Sequence, residues 1–470
     1  MSIITLRPYQ EKAVSAVRKA YQQDKKAPLL VAPTGSGKTV VFCYIAASAS
    51  LRKKRVLILV HRIELLRQTS TALAGFGVGH GLINPKYNSD LSQHVQVASV
   101  QTLIRRLAKI HPPDVIITDE CHHATSPTTR KILDYFPAAR ILGVTATPCR
   151  TDGAGLGVNA GGIFDELIYG PTVKELIRLG YLVAPVVYTA KKAIDLINVK
   201  IRQGDYDRSE LSDLLNKRHI TGQAIAHYKQ LCDGEPAVVF CSDVKHAQDV
   251  AEDFNAAGYM AASVDGTMDD ADRSRILAGL ADGTIQVVTS ADLISEGTDI
   301  PAIGCAILLR PTKSTGLYIQ QVGRALRPSP GKTKAIILDH VGNVLRHGMP
   351  DEDREWSLEG AEKKTKGSGE AQISVSICKS CYAAYLPQPS CPYCGHIEPA
   401  KERAPEVVSG ELVEMTPEHA AYLKEQKKVM VGKAKTLQEL QDVGKQLGYD
   451  GRWAFMTWKA RQSKKGQPAN

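Results

Sequence analysis

Residues 31–39 read VAPTGSGKT, and the chemistry of that stretch sets how the chain around it must fold. The run APLLVAP (27–33) has the apolar continuity of a buried strand, and a helical pattern follows the loop. Gly35 and Gly37 let the backbone turn tightly and come close to a bound group. The amide hydrogens of the loop and of the helix start then converge on one point, which suits a phosphate. Lys38 can reach outer phosphates, and the Thr39 hydroxyl can ligate magnesium. Pro33, Thr34, Gly35, Ser36, Gly37, Lys38 and Thr39 are therefore the candidate triphosphate loop. The usual pattern opens on Gly, whereas Ala32, a small residue, stands there in this chain. An unspecialised Gly-rich turn is the alternative.

A second stretch, VIITDECHHATS (115–126), puts two acids directly after an apolar strand. Alone it is compatible with a solvated strand end. Beside a phosphate loop, Asp119 suits the magnesium that Thr39 also touches, and Glu120 suits polarising the water that attacks a γ-phosphate. Upstream, in LRPYQ (6–10), the Gln10 amide suits a two-pronged contact with adenine, with Arg7 and Tyr9 packed nearby.

Apolar runs at 55–61, 95–99, 115–119 and 141–147 alternate with amphipathic stretches such as 62–76. The same rhythm returns at 236–242, 260–266, 285–290, 305–310 and 335–340. Strands alternating with helices imply parallel sheets covered on both faces. The expected organisation is two α/β domains, 1–175 and 180–345. A polar linker at 346–372, a cysteine module at 373–400 and a helical basic tail at 415–465 follow. With 470 residues the chain is too long for one core. Its 43% hydrophobic content is that of a globular protein, and its net charge of +10 favours acidic partners, nucleic acid above all. No apolar run has the roughly 20 residues of a membrane span, and the start MSIITLRPYQ lacks a secretory pattern, so a soluble cytoplasmic chain without membrane contact is expected.

Cys43, Cys121, Cys149, Cys232, Cys241 and Cys305 are scattered and read as reduced core thiols. Cys378, Cys381, Cys391 and Cys394 instead form C-x2-C, nine residues, C-x2-C, a spacing that suits a closed tetrahedral zinc site. A pair of disulfides is the alternative. In the tail, Trp453 and Trp458 stand among basic residues. They suit either an extended nucleic-acid contact or docking of the tail on the rest of the chain.

Taken in order, LRPYQ, APTGSGKT, DECHH and TATP (145–148), then VVFCSDV (238–244), VVTSADLISEGTDIP (287–301) and QQVGRALRP (320–328), resemble a superfamily 2 helicase or translocase over about residues 3–345. The DECH box, SEGTDIP, ILDHVGN (337–343) and the trailing cysteine module resemble the RadD-like branch, which is bacterial or phage in origin. The resemblance implies two tandem RecA-like P-loop domains, a small zinc ribbon and a short helical tail. It implies that Thr145 and Thr147 couple nucleotide state to domain movement, and that Gly297 and Asp299 face the nucleotide from the second domain. Arg324 and Arg327 would reach across the cleft, with Gln320 positioning the water or those arginines. Gln321 departs from the many relatives that carry another basic residue there. The resemblance also makes Arg62, Gln68, Ser99, Gln101, Thr102, Ser242 and Thr289 candidate contacts to a nucleic-acid backbone.

The expected activity is an ATP- and Mg2+-dependent motor on DNA, acting in repair, recombination or replication, as a monomer in a bacterial or phage-infected cell. Single-stranded-DNA-binding or recombination proteins are its expected partners. An RNA-directed motor is the alternative within enzymes. A non-catalytic nucleic-acid-binding accessory protein is the alternative outside them, and the intact Lys38, Asp119, Glu120, Arg324 and Arg327 speak against it. Aromatic content of 6% does not suggest a base-stacking platform.

Overall fold

The computed structural model describes residues 5–150, 154–189, 196, 199–202, 205–207, 210–211, 220–291, 303–360, 375–397, 417–447 and 451–465. In the first lobe, β1 (Pro28–Val31), β2 (Val56–Val60), β3 (His80–Ile83), β4 (Val95–Ser99), β5 (Val115–Asp119), β6 (Arg140–Thr145) and β7 (Glu166–Tyr169) form one sheet. Its order is β3-β4-β2-β5-β6-β1-β7, and every pairing is parallel. Both faces are covered, which is why β2 reads as a continuous apolar run. Val56, Ile58 and Val60 join the core under α2 (Lys38–Ser50) and α3 (Ile63–Gly75), along with α1 (Pro8–Gln22). Leu57 and Leu59 point the other way, toward α4 (Val100–Leu103) and α5 (Pro127–Tyr135).

The second lobe repeats this plan with β8 (Ala184–Thr189), β11 (Ala237–Phe240), β12 (Ala261–Val264), β13 (Val287–Ser290), β14 (Cys305–Leu308) and β15 (Lys334–Asp339). A two-residue hairpin, β9 (Ile201–Arg202) and β10 (Asp205–Tyr206), stands apart from it. The helices α6 (Val173–Arg178), α7 (Ile220–Cys232), α8 (Val244–Ala256), α9 (Asp270–Asp282), α10 (Thr315–Ala325) and α11 (Asn343–His347) accompany this sheet. Val238 and Phe240 face one core while Ala237, Val239 and Cys241 face the other.

The expected strands are present, and two more accompany them in the first lobe. Both extra strands are only four residues long. β3 also contains Gly81, where a Cβ would collide with the Asp90 carbonyl and the Gln96 amide, so tertiary crowding holds it in place rather than an apolar pattern.

Two expectations need correction. Of the linker expected at 346–372, residues 361–372 lie outside the described residues, and 349–360 dock on the first lobe: Trp356 and Leu358 pack against the cluster of Leu29, Val31, Leu156 and Phe164. The cysteine module is not a separate appendage either. Its strands β16 (Ser376–Ile377) and β17 (Ala383–Tyr385) extend the second sheet, β17 pairing antiparallel with β8. That sheet runs β12-β13-β11-β14-β15-β8-β17-β16 and is therefore mixed. Pairing in this way covers the hydrogen-bonding edge that β8 would otherwise expose.

The C-terminal residues form their own compact unit, with α12 (Pro417–Lys433), α13 (Leu437–Gln446) and α14 (Gly451–Lys465). Leu440, Ala434 and Ala454 are its core, and Trp453 and Trp458 pack against them. Both tryptophans therefore serve the unit's own folding. No helix among the described residues is long and apolar enough to cross a membrane.

His347 is buried and His340 half-buried in the second lobe, and removal from water pushes each down to about 4. They stay neutral in the fold, whereas the unfolded chain protonates them below about 6.5. Stability from this source is present above pH 6.5 and is lost as pH falls toward 4. Thermal melts from pH 7 to 5 should show a falling midpoint, and His347→Gln should flatten that slope.

Candidate active site

β1 runs directly into the glycine loop, where Gly35 (φ +84°) and Gly37 (φ +79°) take the left-handed backbone that only glycine adopts at low cost. The Ser36 carbonyl accepts hydrogen bonds from the Tyr9 hydroxyl (2.9 Å) and the Gln10 amide (3.3 Å). Gln10 in turn accepts from the Arg7 backbone amide at 2.9 Å. The LRPYQ segment thus fixes the loop from behind. Lys38 opens α2 and donates to the carbonyls of Ala32 (3.2 Å) and Pro33 (3.3 Å); Thr39 lies in the same first turn, half-buried.

The Arg7 guanidinium lies 3.8 Å over the Tyr181 ring, and Tyr9 meets that ring edge-on at 5.4 Å between centroids. Tyr181 was not among the expected site residues. It follows α6, 172 residues from Tyr9, in a segment with no local signal.

β5 ends on Asp119, which is buried, and Glu120 follows with φ +46°, a left-handed conformation costly for a residue with a side chain. One Glu120 carboxylate oxygen is 3.4 Å from His122 Nδ1 and 3.5 Å from both Thr145 Oγ1 and Gln320 Nε2. Thr145 also bonds to Thr147, through the carbonyl at 3.1 Å and the amide at 3.2 Å. Burial, then the adjacent Glu120 carboxylate, push Asp119 up to about 7 against the pull of Lys38. Burial likewise lowers Lys38, opposed by Glu120 and Asp119 and assisted by Arg324 and Arg327. Lys38, the two acids and the two arginines therefore share one electrostatic environment, although they come from both lobes.

The helix α10 brings the second lobe there. Ser314 caps it by accepting from the Leu317 amide at 3.2 Å. Its glycines permit close approach: a Cβ on Gly323 would lie 2.9 Å from Thr34 Cβ, and one on Gly316 would lie 2.8 Å from Thr147 Oγ1. A Cβ on Gly35 would meet Leu182 at 2.9 Å, with Arg327 Cγ at 3.9 Å. Gln320, Gln321 and Arg324 are buried along this contact. Gly297 and Asp299 lie outside the described residues.

The candidate strand contacts divide. Arg62, Gln68 and Thr102 are half-exposed and Gln101 is exposed, its amide 3.4 Å from the His61 carbonyl. Ser99 is buried, its hydroxyl 3.0 Å from that of Thr102. Ser242 and Thr289 are fully buried instead: Ser242 Oγ is 2.8 Å from His246 Nδ1, and Thr289 donates to the Ala247 carbonyl at 2.6 Å. These two hydroxyls tie the sheet to α8 and do not reach a surface. The sequence also gave no sign of the ion pairs between lobes, Glu64–Arg273 at 2.6 Å, Arg67–Asp270 at 3.0 Å and Lys86–Asp270 at 2.7 Å, because their partners lie far apart in the chain.

The sulfurs of Cys378, Cys381, Cys391 and Cys394 all lie within 4.8 Å of one another. Two of the separations are 3.6 and 3.7 Å. A tetrahedral zinc with Zn–S bonds of about 2.3 Å needs sulfurs roughly 3.8 Å apart. The Ser380 amide also donates to Cys378 Sγ at 3.3 Å, as suits a thiolate ligand.

Residues 3–150 match the family described as the type III restriction enzyme res subunit, and residues 222–329 match the helicase conserved C-terminal domain. A 51.5 kDa protein of a Lactococcus phage is 35% identical over 371 residues, which cover 78% of this chain and 77% of that one. A Saccharomyces cerevisiae protein named as an ATP-dependent helicase, IRC3, is 32% identical over 67% of this chain, which spans about half (48%) of its length. A solved fragment assigned as an HsdR subunit of a type I restriction enzyme from Vibrio vulnificus has a TM-score of 0.58 at 25% identity, covering 73% of this chain and 66% of that one. The chain belongs to the superfamily 2 helicases, built on two tandem RecA-like domains. Within that class it is a nucleic-acid-dependent ATPase that uses ATP with Mg2+.

Gly323→Ala puts a methyl group where Thr34 sits. The nucleic-acid-stimulated kcat for phosphate release should fall by about tenfold or more through misplacement of α10, while the melting midpoint stays near that of the wild type.

Proposed function

We propose that the chain is a DNA translocase or helicase that acts in repair, recombination or replication. The observation that carries this reading is the packing of α10 on the phosphate loop, which gathers Lys38, Asp119, Glu120, Arg324 and Arg327 into one cleft. In this reading the loop residues Pro33 to Thr39 cradle the triphosphate, and Thr39 and Asp119 hold magnesium. Glu120, assisted by Gln320, orients the attacking water. Arg324 and Arg327 neutralise charge that develops on the γ-phosphate, a contribution worth about 10³–10⁵ in rate where such arginines reach the phosphate. Gln10 reads the adenine, beside the Arg7–Tyr181 stack.

Because the arginines belong to the second lobe, hydrolysis requires closure and its products release it. Thr145 lies against Glu120, Thr147 lies against Gly316 of α10, and the two are hydrogen-bonded to each other, which supports a role in passing nucleotide state between lobes. A strand lying on the first lobe at Arg62, Gln68, Gln101 and Thr102, and reaching over to the second, then moves stepwise. DNA is favoured over RNA because the solved relative is a subunit of a restriction enzyme. Mostly backbone contact implies a strong dependence on salt.

Phosphate release should be stimulated by DNA and should be lost, by at least about 100-fold, in both Lys38→Ala and Glu120→Gln. Undiminished turnover in both variants rejects these site roles. Greater stimulation by RNA than by single- or double-stranded DNA rejects the DNA preference.

The sulfur spacing supports a structural zinc in the cysteine module, whose binding would contribute about 10–16 kcal/mol to folding of that region. Elemental analysis should find one zinc per chain, and Cys391→Ser should lose it. Hydrogen exchange at residues 383–385 should rise on loss of the metal, since β17 is part of the same small fold.

A further inference from the structure

After α11 the chain leaves the second lobe and returns to the first through residues 348–360. Its root belongs to the second lobe. Met349 is part of that lobe's core, and the Gly348 carbonyl accepts from Tyr318 on α10 at 3.2 Å. Arg354 folds back and donates to the carbonyls of His347 and Met349, both at 3.0 Å. Its far end belongs to the first lobe. The Trp356 carbonyl accepts from Tyr169 at 2.5 Å, and its indole packs behind β1, the strand that carries the phosphate loop. The Leu358 carbonyl accepts from the Gly157 amide at 2.8 Å, and Gly360 bridges Ala154. Gly155 must lack a side chain because a Cβ would strike the Leu358 carbonyl.

Only Glu355 separates Arg354, the last second-lobe anchor, from Trp356, the first anchor on the other side. Two Cα–Cα steps span at most about 7.6 Å. At this edge the lobes cannot part further while both anchors hold. The other covalent crossing, residues 170–183, passes alongside: Lys174 pairs with Asp353 at 3.4 Å. Both crossings line a cavity of about 100 Å³ together with Val31, Pro33 and Ile319. One flexible crossing leaves two bodies free to swivel, whereas two adjacent ones leave a single hinge.

We propose that residues 349–360 are a strap that sets this hinge, and that Arg354 and Trp356 are positioning residues which return Arg324 and Arg327 to the Lys38 cleft at each cycle. The inference rests on the two-lobe ATPase reading.

The test is a flexible eight-residue Gly-Ser insertion after Glu355, which leaves both anchors and every site residue in place. Relaxing the tether lowers the effective concentration of one lobe at the other. DNA-stimulated kcat should fall by about tenfold, with KM for ATP changing less than about twofold and the melting midpoint retained. Labels on α3 and α9, at the opposite edge, should report a broader distribution of distances by single-molecule fluorescence transfer. Trp356→Ala should lower kcat likewise, and Trp356→Phe should restore most of it. If the wild type is stimulated by DNA but the insertion leaves kcat and the distance distribution unchanged, the strap is overturned while the motor stands. A wild type with no ATP hydrolysis overturns the motor reading instead.

Discussion

The candidate site is assembled by the close approach of α10 to the glycine loop. Gly323 against Thr34 and Gly316 against Thr147 leave no room for a methyl group on either glycine. That tolerance brings Arg324 and Arg327 within the field of Lys38. The cleft then holds three basic side chains against two carboxylates, an arithmetic excess of one positive charge, which favours a polyanion. Burial costs the charged form of each group, as the depressed Lys38 and the raised Asp119 both record. In the proposed reading, a phosphate chain with its divalent cation would supply the opposite charge to both sets at once. Closure, charge compensation and ligand binding are therefore, in the proposed reading, one event.

The second lobe is more than a carrier for the arginines. β8 pairs with β15 on one side and with β17 of the cysteine module on the other, so that module continues the sheet that α10 packs upon. The Tyr393 hydroxyl, also from the module, donates to the Pro185 carbonyl of β8 at 3.2 Å. Ordering the four cysteines and ordering the sheet edge are thus linked. The strap, rooted at Gly348 beside Tyr318, ties the same lobe back to β1. The described parts of the chain after residue 345 and before the C-terminal unit accordingly work on the geometry of the cleft rather than trailing from it.

Polar residues at strand ends illustrate where reading by position breaks down. Ser242 and Thr289 occupy places that suit contact with a bound strand, yet both hydroxyls turn inward to α8. Gln101 occupies a comparable place after β4 and is exposed. The difference is which face of the strand end meets a helix, and residue type does not encode that. Tyr181 shows the converse: nothing in the sequence singles it out, yet it becomes the floor of a stack because Arg7 lies across it.

What the sequence determined by itself was local chemistry. VAPTGSGKT, the acids after VIIT, the paired cysteine knuckles and the continuous apolar runs are each local in the chain, so backbone geometry alone aligns their donors, ligands and faces. It also determined the sheet type, since continuously apolar strands separated by helices have few other ways to bury both faces. The tertiary structure alone decided the contact between Gly323 and Thr34, the ion pairs of Glu64, Arg67 and Lys86 with α9, the β17–β8 pairing and the docking of Trp356 behind β1. Those partners are separated by roughly 180 to 330 residues, and no local preference carries information over that distance. Their meeting is set by which complementary surfaces remain once each core has closed.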